Sequence, residues 1–217
     1  MPGTKIAVQG AGNIGGTLGR KWAAAGNSVT FGVAHPESEK AQALQAELGE
    51  QVGQVGRAGQ VTFGAIADAL PGADVVVFAV PGRAMAETIA ANAAALGDKL
   101  VIDAANRMGE PIPNSREDFR RHAPSVRYVR AFNTLGYENF ADPLFDGVPA
   151  DLLYTGPEAD SALIEQLIGE IGLRPIRVGD AEQTPLVDAL LQLWFALAIQ
   201  RGMGRHLAFK VLTREQE

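Results

Sequence analysis

The sequence predicts an α/β fold built on a doubly wound parallel sheet, and three observations carry that reading. Short apolar runs alternate with helical stretches from residue 5 to about 140. The run "DVVVFAVP" (74–81) is apolar on both faces, as a strand covered by helices on both sides must be. Glycines spaced G-x-G-x-x-G (10–15) stand between the first strand-like run and the helix that follows it.

The elements follow in order. "KIAVQG" (5–10) reads as a buried strand, and Ile14 to Ala25 as a helix stopped by Gly26. "SVTFG" (28–32) is a second strand. Pro36 at a first helical position starts the next helix and Gly49 ends it. Glycines at 49, 53, 56 and 59 then mark a loop. "VTFG" (61–64) is a short strand, and "AIADAL" (65–70) a short helix closed by Pro71-Gly72. After strand 74–81 a helix runs through Leu96, and "KLVIDA" (99–104) is again a strand. "NSREDFRRH" (114–122) reads as a helix with Ser115 as N-cap and Asp118 completing a capping box. "VRYVRAFNT" (126–134) is the next strand. The pattern then changes. Strands at 151–156 and 174–179 flank a helix near 158–171, and Thr184-Pro185 opens a long apolar helix to about Arg201. Residues 1–142 thus form the main domain, and 143–217 a small C-terminal helical and β-hairpin part.

Composition narrows the function. The net charge is −6, so no basic face suggests nucleic acid as a partner. There is no Cys, which removes disulfides, thiolate nucleophiles and thiolate metal sites, and suits a reducing, cytoplasmic location. His35, His122 and His206 have no metal-ligand spacing. The first strand begins by about Lys5, so no signal peptide is expected, and the longest apolar stretch is too short for a membrane span.

The glycine motif carries the chemistry. Its place between strand and helix is the context that a Rossmann-type dinucleotide fingerprint requires. Gly10 makes the turn, Gly12 lets a pyrophosphate approach the backbone, and Gly15 lets the helix pack on the strand. The helix N-terminus then faces the phosphates. A glycine-rich turn without a ligand is the plain alternative. The end of the second strand selects the cofactor. No acid lies between Ser28 and Pro36 to bond a ribose 2′-hydroxyl or to repel a 2′-phosphate, which permits NADP(H). His35 and Lys40 are the cations available to that phosphate, or else ordinary surface residues.

Several stretches together resemble the NADP oxidoreductases dependent on the deazaflavin coenzyme F-420, and the related cytosolic domain of the six-transmembrane metalloreductases. They are the segment 5–32, "ADVVVFAVP", "KLVIDAANRMG", "RAFNTLGYENF" and "QRGMGRHLAFKVL". The resemblance implies that NADP(H) lies across the carboxyl ends of the strands and exchanges hydride with a stacked ring, with coenzyme F-420, FMN or FAD as that acceptor. Ferric reduction downstream is a further outcome it allows. It implies Gly12, Asn13 and Ile14 at the pyrophosphate and Val33, Ala34 and His35 at the 2′-phosphate. Ala79, Val80 and Pro81 would wall the nicotinamide side, and Ala131, Phe132, Asn133 and Thr134 would line the nicotinamide and its acceptor. Val33-Ala34-His35 stands where members carry Ser or Ala followed by Arg, and Gly82 where many carry Trp or Tyr, which would leave room for a wider acceptor.

Hydride transfer needs no protein nucleophile, only donor and acceptor carbons held about 3–3.5 Å apart. No catalytic residue is therefore assigned, and no Ser-His-Asp or paired-carboxylate arrangement is evident. Asn106, near the end of the strand 99–104, either bonds a ribose or the acceptor or merely caps its loop. The helix 186–199 is apolar on nearly every face, which implies a homodimer packed through it or a central core helix. Trp194 and Phe195 read as packing, and Gly202 and Gly204 as a turn toward a bound ring or a helix cap. Two other functions stay open: a reductase or dehydrogenase of small metabolites, and a dinucleotide-sensing module without enzymatic activity.

Overall fold

A computed structural model describes residues 3–53 and 59–214. Its centre is an eight-stranded sheet in the order β10-β9-β6-β5-β4-β1-β2-β3. The strands are β1 (Lys5–Gln9), β2 (Ser28–Val33), β3 (Val61–Ala65), β4 (Val75–Phe78), β5 (Leu100–Asp103) and β6 (Arg127–Arg130), followed by β9 (Asp151–Thr155) and β10 (Arg174–Gly179). A two-residue hairpin, β7 (Leu144–Phe145) and β8 (Val148–Pro149), stands apart from the sheet. β1 to β6 are mutually parallel. β9 meets β6 antiparallel through Arg130 and Thr155, and β10 runs parallel to β9. The parallel expectation therefore holds for β1–β6, and the last two strands reverse direction within the same sheet. The chain lays down β1-β2-β3 outward on one side and β4-β5-β6 on the other. Beside β1 the order reverses, and in such sheets ligands bind at the carboxyl ends there.

Helices cover both faces: α1 (Asn13–Ala24), α2 (Glu39–Gly53), α3 (Met85–Leu96), α4 (Arg116–His122), α5 (Tyr137–Ala141), α6 (Ser161–Ile171) and α7 (Thr184–Phe195). One core is built from Ile6, Val8, Leu18, Trp22 and the apolar faces of α6 and α7. The other is built from Ala7, Val76, Phe78, Ile89 and Phe119 under α3 and α4. The alternation of Ile6 and Val8 against Ala7 along one strand is the pleat feeding two cores. α1 is pinned to α6 by polar groups as well, since Trp22 donates its indole N–H to the Leu167 carbonyl (2.9 Å) and Lys21 Nζ reaches the Ile171 carbonyl (2.9 Å). That lysine covers orphan carbonyls at the end of α6.

Four local expectations need correction. α2 begins at Glu39, because the Ser38 hydroxyl accepts from the Ala41 N–H and donates to the His35 carbonyl, leaving Pro36 in the preceding turn. It runs past Gly49 to Gly53, and the expected loop 49–60 is helical at its start and lies outside the described residues at 54–58. Residues 66–69 form turns, not a helix, being too few to propagate before Pro71. The capping box at Ser115 does not form, because Arg107 takes both the Ser115 hydroxyl and the Asp118 carboxylate. The C-terminal helix does reach Gln200, but its last turn, Ala196–Gln200, is π-helical.

Beyond Gly202 the chain is irregular yet firmly tied. Trp194 donates to the Leu207 carbonyl and Asn139 to the Arg205 carbonyl. Asp151, buried at the start of β9, binds Arg174 through both oxygens (2.6 Å each), Lys210 Nζ (2.9 Å) and the Val211 N–H (2.6 Å). Burial works against this carboxylate, but Arg174, the Val211 N–H and Lys210 outweigh it and hold its pKa down at about 2. A carboxyl depressed on folding contributes stability above its unfolded pKa of about 3.9 and loses it as pH falls toward the folded value. Asp151→Asn is therefore expected to lower stability fully at pH 6 and progressively less between about pH 4 and 2. Denaturant unfolding over that range checks this, and a deficit that does not change with pH would assign the tail's anchoring elsewhere.

Candidate active site at the carboxyl edge of the sheet

The edge is organised by the turn after β1. Gly10 has φ +100, a conformation reserved in practice for glycine, and its N–H donates to the Gly32 carbonyl (2.8 Å). A Cβ at Gly10 would stand 2.8 Å from the Ala79 carbonyl, and one at Gly15 only 2.0 Å from the Gly10 carbonyl. Both glycines are thus required by packing. Gly12 differs: a Cβ there would meet nothing within 4 Å. Gly12 is the N-cap of α1, and the first turn (Asn13, Ile14, Gly15) carries no acidic residue. Free N–H groups and the positive end of the helix face this open space, the arrangement that receives a phosphate. A cleft of about 450 Å³ adjoins it, lined by Gly12, Asn13, Gly16, Thr17, Leu44 and Tyr137.

The neighbouring strand ends complete the edge. Val33 is half-buried, and Ala34 and His35 are exposed after β2. His35 Nδ1 lies 3.5 Å from Glu37 Oε1, a partner that the sequence reading did not consider. Lys40 lies outside the residues whose side chains are described. Ala79 is hydrogen-bonded to the Gln9 carbonyl, and Val80 and Pro81 lead into a 3-10 turn at Gly82–Ala84. Gly82 leaves no room for a wider ring: a Cβ there would stand 2.3 Å from the Asn106 carbonyl, because the loop after β5 fills the space.

Ala131, Phe132, Asn133 and Thr134 are all buried at the end of β6. Phe132 adopts φ +59, and its ring packs edge-on between Trp22 and Phe140, so its side chain belongs to the core. Asn106 is half-buried in front of this segment and donates to the Asn133 carbonyl (2.9 Å). The structure thus brings Gly10–Gly15, Val33–His35, Ala79–Pro81 and Asn106 to one edge, with Ala131–Thr134 beneath. Trp194 is buried and bonded to the tail, as expected of packing.

Behind this edge lies an ionic cluster that the sequence reading missed. Arg130 is fully buried. Its Nε donates to Asp188 on α7 (3.0 Å), its Nη1 to the carbonyls of Asp103 (3.1 Å) and Ala105, and its Nη2 to Asn106 Oδ1 (2.7 Å). The Asp103 carboxylate lies 3.3 Å from Arg130 and accepts from the Ser115 N–H and the Tyr128 hydroxyl. Burial still pushes the Asp103 carboxyl above its ordinary range. Asp188 is the one charge in an apolar helix, and Arg130 is a charge at the buried end of β6, after Tyr128 and Val129. Those two anomalies were the available signal.

A groove of about 450 Å³ runs between residues 111–120 and α7, with Asn114 and Asp188 among its lining. A smaller one, about 310 Å³, continues past Met108 and Phe195 to Gln200. The described residues hold no cluster of metal-ligating side chains and no helix long and apolar enough to cross a membrane.

Comparison with known proteins fits this geometry. The sequence profile of the family described as NADP oxidoreductase coenzyme F420-dependent matches residues 5–107. A candidate F420-dependent NADP reductase from Arthrobacter sp. FB24 superposes with a TM-score of 0.76 at 26% identity, covering 97% of this chain and 100% of that one. The hypothetical protein SMa0349 from Sinorhizobium meliloti gives 0.64 at 25% identity, covering 97% and 96%. An imine reductase from Aspergillus terreus, solved with NADPH4, shares the fold at 21% identity and a TM-score of 0.63, covering 91% of this chain and 63% of its own. No curated protein sequence matches the chain. Residues 5–107, which carry β1, the open Gly12 and the ends of β2, β4 and β5, are thus similar to the coenzyme F420-dependent NADP oxidoreductases.

Proposed function

We propose that this protein moves hydride between NADP(H) and a deazaflavin ring of the coenzyme F420 type. The observation that carries the cofactor half is Gly12, open at the N-terminus of α1 while Gly10 and Gly15 are closed by packing. A glycine whose missing side chain leaves free space at a helix N-terminus suits the passage of a pyrophosphate. His35 is the imidazole at the proposed 2′-phosphate position, with Glu37 Oε1 3.5 Å from its Nδ1. The deazaflavin half draws support from the family of residues 5–107 and from the likeness to the Arthrobacter protein.

Nicotinamide lies in this reading against Val80-Pro81 and Asn106. The ring acceptor enters from the side of α7, because the loop at Asn106–Arg107 occupies the space beside Gly82. The residues' work is to hold two rings in line and to keep water out, so the rate depends on geometry more than on a titrating side chain. The exposed Leu186, Leu193 and Ile199 on the last helix are the face that a second copy would cover in a homodimer.

Stopped-flow oxidation of 4-deuterated NADPH tests the reaction, with coenzyme F420, FMN and FAD offered in turn. Deuterium transfer to the deazaflavin is the expected result. Transfer to FMN or FAD alone would reassign the acceptor, and NADPH binding with no transfer to any ring would favour a dinucleotide-sensing role.

A further inference from the structure

A 2′-phosphate distinguishes NADP(H) from NAD(H), and such a phosphate monoester carries close to two negative charges in neutral or weakly basic solution. The end of β2 supplies little charge to meet it. Val33 and Ala34 are apolar, and the imidazole of His35 stands 3.5 Å from the Glu37 carboxylate. We infer that Arg83, from the turn after β4, binds the 2′-phosphate and sets a preference for NADP(H) over NAD(H). The inference rests on the dinucleotide reading above and adds to it a residue from a different strand end.

Arg83 is set apart first by what it does not bind. The chain has 25 acidic residues to 19 lysines and arginines, so carboxylates are plentiful enough to pair with nearly every guanidinium. Among the described residues, every arginine makes an ion pair except Arg83, Arg201 and Arg214. Arg201 and Arg214 lie beyond the last helical turn, in the C-terminal segment. Arg83 lies at the carboxyl end of β4, beside β1, where the strand order reverses. It is exposed, and no carboxylate among the described residues competes with a ligand for it.

The turn also gives Arg83 a direction. Gly82–Ala84 is a 3-10 turn, so its three residues point about 120° apart. The Cβ position of Gly82 faces the Asn106 carbonyl and Arg107 Cα, in the loop after β5. Ala84 packs on the core of Val76, Phe78 and Ile89. The third direction, away from β5 and from that core, belongs to Arg83. In the order β5-β4-β1-β2, away from β5 is toward β1 and β2. β2 lies two strand spacings from β4, about 10 Å, which a long guanidinium stem and a phosphate on its ribose bridge between them. The guanidinium's planar fork of donors matches phosphate oxygens. The pyrophosphate needs it less, since the free N–H groups of α1 already serve that group.

Calorimetric titration with NADPH and with NADH, at a pH of about 8 where histidine side chains are ordinarily uncharged, isolates the arginine. The wild type should bind NADPH at least about tenfold more tightly than NADH, the effect of one charge-assisted contact. In Arg83→Gln the preference should fall to within about twofold, through weaker binding of NADPH alone. The melting temperature should stay unchanged, because Arg83 is exposed and makes no ion pair in the fold. A preference retained in Arg83→Gln overturns the inference. An equal loss of affinity for both cofactors overturns it too, since it would place the guanidinium at the pyrophosphate. A wild type that binds NADPH and NADH equally has the same consequence. A wild type that binds neither overturns the dinucleotide reading itself.

Discussion

Gly12→Val is expected to weaken NADPH binding at least a hundredfold, a loss of about 2.7 kcal/mol, while leaving the melting temperature unchanged. The backbone there, φ −77 and ψ −167, is open to any residue, and the new side chain meets no protein atom within 4 Å of its Cβ. The folded state therefore has no reason to object. The added methyls instead occupy the space before the first N–H groups of α1, where the phosphates would lie. Gly15→Val should behave in the opposite way. Its Cβ would stand 2.0 Å from the Gly10 carbonyl, so strand and helix would be forced apart and the protein would melt early or fail to fold. Calorimetric titration with NADPH and a thermal melt, run on both variants, separate the two glycines. An unchanged affinity in Gly12→Val would remove the pyrophosphate from this loop.

Most of this edge was legible in the sequence because local rules govern it. A strand, three spaced glycines and a helix are contiguous, and their roles follow from the turn they make. The buried Asp103–Arg130–Asp188 cluster was not, because its members lie 27 and 58 residues apart and meet only through the sheet order and the docking of α7. The crowding at Gly82 was hidden for the same reason, since the loop at Asn106 that fills it belongs to the next strand. The reversal of β9 and β10 had no local signature either. Strand runs such as "DLLYTG" state which residues are apolar, while direction is set by the connection through α5 and the β7–β8 hairpin. The start of α2 erred at a finer level, because the Ser38 hydroxyl made a better cap than Pro36 made a first residue.

Arg130→Met tests the cluster as a whole. The replacement has a similar length and no charge, and it leaves Asp103 and Asp188 buried, at 0% and 5% exposure, without their common cation. Losing one partner of a buried ion pair typically costs about 3–5 kcal/mol, since the remaining charge is not returned to water. At this chain length each kcal/mol moves the melting temperature by about 2–4 °C, so a drop of roughly 10 °C is expected. The sign with pH follows from Asp103. Burial already pushes its carboxyl up against the pull of Arg130, and removing the arginine raises it further. A carboxyl raised on folding binds protons more readily in the folded state, so the variant's deficit should shrink as pH is lowered from 8 toward 5. Asp103→Asn and Asp188→Asn added to Arg130→Met should restore part of the loss by removing the stranded charges, which no repair of packing alone would do. Melting curves of the single and triple variants at the two pH values decide it. A single variant within 2–3 °C of the wild type would show that the cluster does not hold α7 to the sheet. Equal deficits in single and triple variants would show that the arginine acts by its bulk and not by its charge.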